Sequence, residues 1–170
     1  MSFEDLALPF LKADLFVDLT PPQIKTLLIC GERTVFRNGY CLIEADQAGD
    51  CAYLITSGVA RIVDPFTGRF CSETLGLGTL VGELAMLIEI EYATTVVAHG
   101  RVEALRFSRE TVVELMRHDP SLAASFLSRM TERLAGVGRK LRDFDETLEQ
   151  ATLSTVHASM GGSPLPTVIN

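Results

Sequence analysis

Between residues 32 and 108 the sequence falls into short β-rich runs, with a turn signal at nearly every junction. Thr34 and Phe36 alternate with Val35 and Arg37, Asn38-Gly39 supplies a tight turn, and Tyr40 to Ile43 make the next strand. Gln47-Ala48-Gly49-Asp50 reads as a loop, Ala52 to Thr56 as a strand ended by a turn at Ser57-Gly58, and Val59 to Val63 as the following strand. The Asp64–Arg69 stretch, with Pro65 and Gly68, reads as a hairpin loop completed by Phe70 to Leu77. Val96 to Ala98 and Val102 to Phe107 flank His99-Gly100 as a last hairpin. Many short strands joined this way imply a mainly β chain with flanking helices, built as a β jelly-roll barrel.

The flanks have a different period. Asp5 to Leu15, interrupted by Pro9, reads as one or two brief helices. Thr20-Pro21-Pro22-Gln23 carries a capping residue, proline at the first helical position and Gln three residues after the cap, so a helix runs from there to about Cys30. After the barrel, Ser108 caps a helix with an apolar side at Val112, Val113, Leu115 and Met116, broken at Asp119-Pro120. Ser121 then caps the longest helical pattern, which reaches about His157 and at 1.5 Å per residue would be roughly 55 Å long. Its apolar positions Met130, Leu134, Val137, Leu141, Phe144 and Leu148 recur in alternating steps of four and three, the narrow seam of a coiled coil, despite Gly136 and Gly138 inside it. The expected organisation is N-terminal helices over 1–31, a barrel over 32–108, C-terminal helices over 109–157 and a disordered tail over 158–170, rich in Gly and Pro.

Composition excludes several classes. A net charge of −7 argues against the basic face that binding to nucleic acid requires, so no direct DNA contact is expected. No run approaches 18 apolar residues and the N-terminus is acidic where a signal peptide is basic, so no membrane partner is expected and the cytoplasm is the expected location. Cys30, Cys41, Cys51 and Cys71 lack metal or redox spacing and are expected to be small buried hydrophobes. The three histidines are scattered, so neither a metal site nor a catalytic group is expected, and His99 reads as a turn residue.

The stretch Gly82 to Ala98 carries the one site the sequence suggests. Gly82-Glu83-Leu84-Ala85 is too short for a strand and too apolar for a free loop, whereas Thr94, Thr95, Val96 and Val97 are β-branched, so a short helical turn leading into a strand is expected. The start of such a turn leaves N–H groups and partial positive charge pointing at one spot, where an anion can sit.

The order Gly82-Glu83-Leu84-Ala85, a loop, then Ala93-Thr94-Thr95-Val96 resembles the phosphate-binding cassette of the cyclic nucleotide-binding domain family. That family includes catabolite-activator-type regulators and the regulatory subunits of cyclic AMP-dependent kinase. Phe36-Arg37-Asn38-Gly39, Glu44-Ala45-Asp46, Gly49-Asp50 and Tyr53 to Gly58 are similar to further family marks, so the resemblance extends over roughly Leu15 to Leu141. It implies a ligand site at Gly82, Glu83, Leu84, Ala85, Tyr92, Ala93 and Thr94, no enzymatic activity, and no cofactor beyond a cyclic nucleotide or nucleoside ligand. The Arg that holds the cyclic phosphate in the family falls on Tyr92 here. Tyr92 either stacks on a base or fills the cradle itself. By resemblance Glu83 takes a ribose 2′-hydroxyl, the alternative being that it caps its own turn, and Ala93 offers a backbone N–H to a phosphate. The base-contacting positions on the long helix align with Val137 and Gly138, which carry no hydroxyl, and the winged helix-turn-helix of the catabolite-activator branch is expected to be absent.

Three readings follow: a regulatory module with an altered cassette, a genuine but weak cyclic nucleotide or nucleoside sensor, and a scaffold or adaptor that engages a protein partner through its coiled-coil helix. The seam implies a homodimer. Leu141→Asp places a charge in that seam, which costs several kcal/mol when unpaired, and light scattering should show a wild-type dimer and a dissociated variant. A wild-type monomer, or a variant dimer of unchanged affinity, would remove the coiled coil.

Overall fold

The computed structural model describes residues 3–133, 135 and 136. The chain divides into two compact units, Met1–Arg129 and Met130–Asn170. In the first, helix α1 (Phe3–Lys12), a 3-10 turn at Asp14–Phe16 and α2 (Pro21–Cys30) precede eight strands. These are β1 (Glu32–Phe36), β2 (Cys41–Ile43), β3 (Ala48–Gly49), β4 (Cys51–Val63), β5 (Phe70–Leu75), β6 (Leu80–Val81), β7 (Ile90–Glu91) and β8 (Thr95–Ser108). A second 3-10 turn, Glu83–Met86, separates β6 from β7, and α3 (Arg109–His118) follows β8. Residues 120–133 are helical, as are 135 and 136. Of the expected seam, Met130 is helical and half-buried, whereas Leu134, Val137, Leu141, Phe144 and Leu148 lie outside the described residues, as does the tail 158–170.

Two long antiparallel strands, β4 and β8, form the spine, paired from Cys51 opposite Ser108 to Val63 opposite Thr95. Their first-to-last halves serve two layers. β1 and β6 flank the half containing Tyr53 and Arg106, and β2 and β5 flank the half containing Arg61 and Val97. The result is a β jelly roll. Inside it, Leu42, Ile43, Ile55, Ala60, Val81, Val96, Ala98 and Val102 are buried together, with Phe36, Tyr53 and Tyr92 packed against them.

Two expected turns are bends within single strands. Ser57-Gly58 does not end a strand, because β4 continues through it with register shifts on either side of Ser57. His99-Gly100 likewise lies within β8, where no hairpin forms. Gly58 and Gly100 have φ of 87° and 85°, which L residues with a Cβ rarely adopt, so each glycine kinks a strand that goes on pairing. Asn38-Gly39 forms the expected tight turn. It joins β1 to β2, yet both pair with β8 and not with each other, and Asn38 Oδ1 accepts from the Gly100 N–H at 2.8 Å. Strand β5 stops at Leu75, since Gly76 to Thr79 close a turn in which the Thr79 N–H donates to the Gly76 carbonyl at 2.9 Å. Of the cysteines only Cys51 is buried, because Cys30, Cys41 and Cys71 sit on outward or edge positions.

The helices cover the outer face of one layer. Phe10 and Phe16 both meet Phe107 edge-on with ring centres 6.0 Å apart, and Phe126 from the helix 120–133 lies 5.8 Å from Phe16. The start of α2 is as the sequence suggests, with Gln23 Oε1 accepting from the Thr20 N–H at 2.9 Å. Gln23 is buried, and its amide also donates to Asp119 and Ser121, each at 2.9 Å. Asp119, not Ser121, caps the next helix. Its carboxylate accepts from the N–H groups of Ser121 and Leu122, and Pro120 takes the first helical position, where no N–H is needed. The Ser121 hydroxyl and then the Gln23 amide hold the Asp119 carboxyl down at about 2.

A Cβ at Gly58 would lie 2.2 Å from the Arg101 carbonyl oxygen, at a φ that already disfavours alanine. Gly58→Ala should therefore lose about 2–4 kcal/mol of stability by urea denaturation, whereas Gly39→Ala, where nothing lies within 4 Å, should lose less. Equal losses at the two positions would show that the β4 kink does not require glycine.

Candidate functional site

The seven site residues expected from the sequence come together. Gly82, at φ 76°, turns the chain out of β6 into the 3-10 turn Glu83–Met86, where Ala85 is buried and its N–H donates to the Gly82 carbonyl at 3.0 Å. A loop then leads through β7, which pairs with β3, to Tyr92. Gly82, Glu83, Leu84, Ala85, Tyr92, Ala93 and Thr94 all line one pocket of about 200 Å³. Ile43 and Leu80 contribute its apolar wall. Glu83 and Glu91 are the charged residues among those lining it, and none of the described lining residues is a cation.

Tyr92 is held at both its backbone and its ring. Its N–H donates to the Gln47 carbonyl at 2.9 Å, and its carbonyl accepts from the Asp46 N–H at 3.0 Å. The ring lies in a slot made by two glycines. A Cβ at Gly82 would stand 2.9 Å from Tyr92 Cε1, and one at Gly49 would stand 3.1 Å from the same atom. The hydroxyl donates to the Cys51 carbonyl at 2.9 Å, with Cys51 Sγ 3.5 Å from the same oxygen. Because the phenol proton is committed to the carbonyl, the thiol is the donor in that second, weaker contact. The ring thus packs on the barrel core. Burial, and then the neighbouring Cys51 thiol, push the Tyr92 hydroxyl further above its ordinary value of 10, so it stays neutral across the physiological range. Tyr53 is pushed up to about 12, again by burial first.

Three residues outside the cassette motif help hold the site. Gly49 and Cys51 shape the slot only because Tyr92 enters it. Arg109, the first residue of α3, donates from Nη1 to the carbonyls of Gly49 at 2.9 Å and Ile88 at 3.0 Å, tying the loop of the cassette to the helix that follows the barrel. An arginine directly after a helix cap was the available hint, since its donors are long enough to reach carbonyls of a neighbouring loop. Among the described residues there is no group of His, Cys, Asp and Glu that could hold a metal ion, and no helix long and apolar enough to cross a membrane.

The chain is similar to several known proteins. The chain is 29% identical over 136 residues to the cyclic AMP receptor protein of Thermus thermophilus, covering 78% of this chain and 63% of that protein. It is 31% identical over 86 residues to a cAMP-dependent protein kinase regulatory subunit of Mucor circinelloides, covering 50% of this chain and 20% of the relative. The chain therefore spans less than two thirds of the length of either. Among solved structures, a cyclic nucleotide-binding-like protein from Brucella abortus superposes with a TM-score of 0.59 at 30% identity, covering 67% of this chain and 98% of that one. Residues 33–119 match the family model described as the cyclic nucleotide-binding domain. That match takes in just over half of the chain and contains the whole pocket, and the chain belongs to the cyclic nucleotide-binding domain family.

Proposed function

We propose that this protein is a non-enzymatic regulatory module of the cytoplasm whose cassette is closed to cyclic AMP and cyclic GMP in the usual mode. The observation that supports this reading is the Tyr92 side chain, seated between Gly49 and Gly82 with its hydroxyl on the Cys51 carbonyl. A cyclic phosphate brings one negative charge into a partly buried place, and the arginine of the family pattern meets it with two charge-assisted hydrogen bonds. Tyrosine offers one neutral O–H, and here that donor is already used. Glu83 and Glu91 add negative charge on the wall of the same pocket. Losing one partner of a buried charge pair costs roughly 2–5 kcal/mol, a loss of ~30-fold to several thousand-fold in affinity. The remaining volume of about 200 Å³ is also below the ~300–1,000 Å³ typical of small-molecule sites.

A second reading, a weak sensor of a cyclic nucleotide or nucleoside, draws on the pocket that stays open beside the ring, with Glu83, Ala93 and Thr94 on its wall. Homodimerisation through Met130 to Leu148, and a protein partner on that helix, belong to the same proposal and rest on the apolar seam in the sequence.

Calorimetry at micromolar protein should detect no binding of cyclic AMP or cyclic GMP by the wild type and a measurable gain in Tyr92→Arg. Tight wild-type binding would mean that a cation outside the pocket wall reaches the ligand, and an arginine variant without gain would mean that the cradle no longer fits a cyclic phosphate, which favours the scaffold. Tyr92→Phe keeps the ring in its slot and removes only the bond to Cys51, so it should lose about 0.5–1.5 kcal/mol in urea denaturation and acquire no affinity for either nucleotide. No loss would show that the hydroxyl contributes nothing to holding the ring.

A further inference from the structure

A second cavity among the described residues is separate from the cassette. It is a groove of about 800 Å³, four times the cassette pocket, between α1 and α2 on one side and the outer face of β1, β8 and β4 on the other. Its apolar wall includes Leu28, Ile29, Val35 and Leu77. Ile29 is 75% exposed and Val35 52% exposed, so the rim offers apolar surface to solvent where a soluble face ordinarily does not group it.

The charge of this groove opposes that of the chain. Lys25 of α2, Arg33 of β1 and Arg101 of β8 line it, against the single carboxylate of Glu103. Glu103 is taken by Arg101 at 2.8 Å. Among the described residues neither Lys25 nor Arg33 meets a carboxylate, in a protein that carries an excess of seven acidic groups. An apolar trough with surplus positive charge is complementary to an apolar molecule with one negative group. Its volume is in the range of small-molecule sites. A stable protein partner needs about 800 Å² from each side, more than the whole lining of this groove presents.

We propose that this groove binds a free aliphatic monocarboxylate, with the hydrocarbon chain along Leu28, Ile29, Val35 and Leu77 and the carboxylate on the cationic rim of Lys25 and Arg33. The cassette plays no part in it. Occupation of the groove would bridge the N-terminal helices and the sheet, which gives the module a ligand independent of the pocket that Tyr92 fills.

The full chain is titrated by calorimetry with octanoate, dodecanoate and dodecanol. Each methylene buried against the wall should raise affinity by about two- to fourfold, so dodecanoate should bind well over tenfold more tightly than octanoate. Dodecanol, which has no charge, should bind about three- to tenfold more weakly than dodecanoate. Both cations are exposed, so the double variant Lys25→Gln/Arg33→Gln should fold, lose about the same factor for dodecanoate and be unchanged for dodecanol. Absence of saturable dodecanoate binding, equal affinities for the two chain lengths, equal affinities for acid and alcohol, or an unaffected double variant would each overturn the proposal.

Discussion

β4 and β8 are neighbours over almost their entire lengths, and the other four strands of the six-stranded sheet each pair with one of them. A pair this long cannot stay flat and also close a barrel, since a strand bends sharply only where an extra residue or a glycine relaxes the ladder. Gly58 on one strand faces Arg101 on the other with no room for a Cβ, and the pair folds there into its two layers. β1 and β2 then lie end to end along β8, linked by the turn that Asn38 fastens to Gly100. The cassette depends on this spine as well. Cys51, whose carbonyl holds Tyr92, is the first residue of β4, and Arg109, which holds the cassette loop, follows the last residue of β8.

Within that frame the Tyr92 ring takes up the space between Gly49 and Gly82. The family pattern that the sequence resembles has an arginine at position 92, and on the reading proposed above its charge would meet a bound phosphate. A tyrosine in the same place has a ring to bury and one hydroxyl to satisfy, and the two glycines and the Cys51 carbonyl do both. The pocket beside it keeps its acidic wall and has no cationic lining residue among those described. Burial and the adjacent thiol keep the hydroxyl neutral near neutral pH, so the ring brings no charge of its own into the pocket.

The jelly roll was legible because the β-rich runs over 32–108 persist as strands, even where a turn signal between two of them proves to be a kink in one longer strand. The helix beginning at Pro21 and the turn at Asn38-Gly39 were legible for local reasons, since capping residues and positive-φ glycines act within a few positions of themselves. Ser57-Gly58 and His99-Gly100 were misread for the same reason: a glycine at positive φ serves a turn and a kinked strand equally. Only the pairing of β4 with β8, some forty residues away, distinguishes the two. Asp119 and Ser121 are both competent caps, and Pro120 between them decides for Asp119 because it fits the first helical position. At the site, the cassette residues were legible as a contiguous motif. The slot was not, because Gly49, Cys51 and Arg109 come from other elements and matter only through the space that Tyr92 occupies and the carbonyls that its loop presents.

The most direct measurement of this account is an NMR titration of the backbone amides of residues 82–94 with cyclic AMP at about 0.1 mM, tenfold below the millimolar affinity to which about a thousandfold loss moves a micromolar site. The account predicts amide shifts of about a tenth of their saturating change or less, with the Tyr92 ring resonances unmoved. Saturating shifts across Gly82 to Thr94 at that concentration, with the ring displaced from its slot, would contradict it.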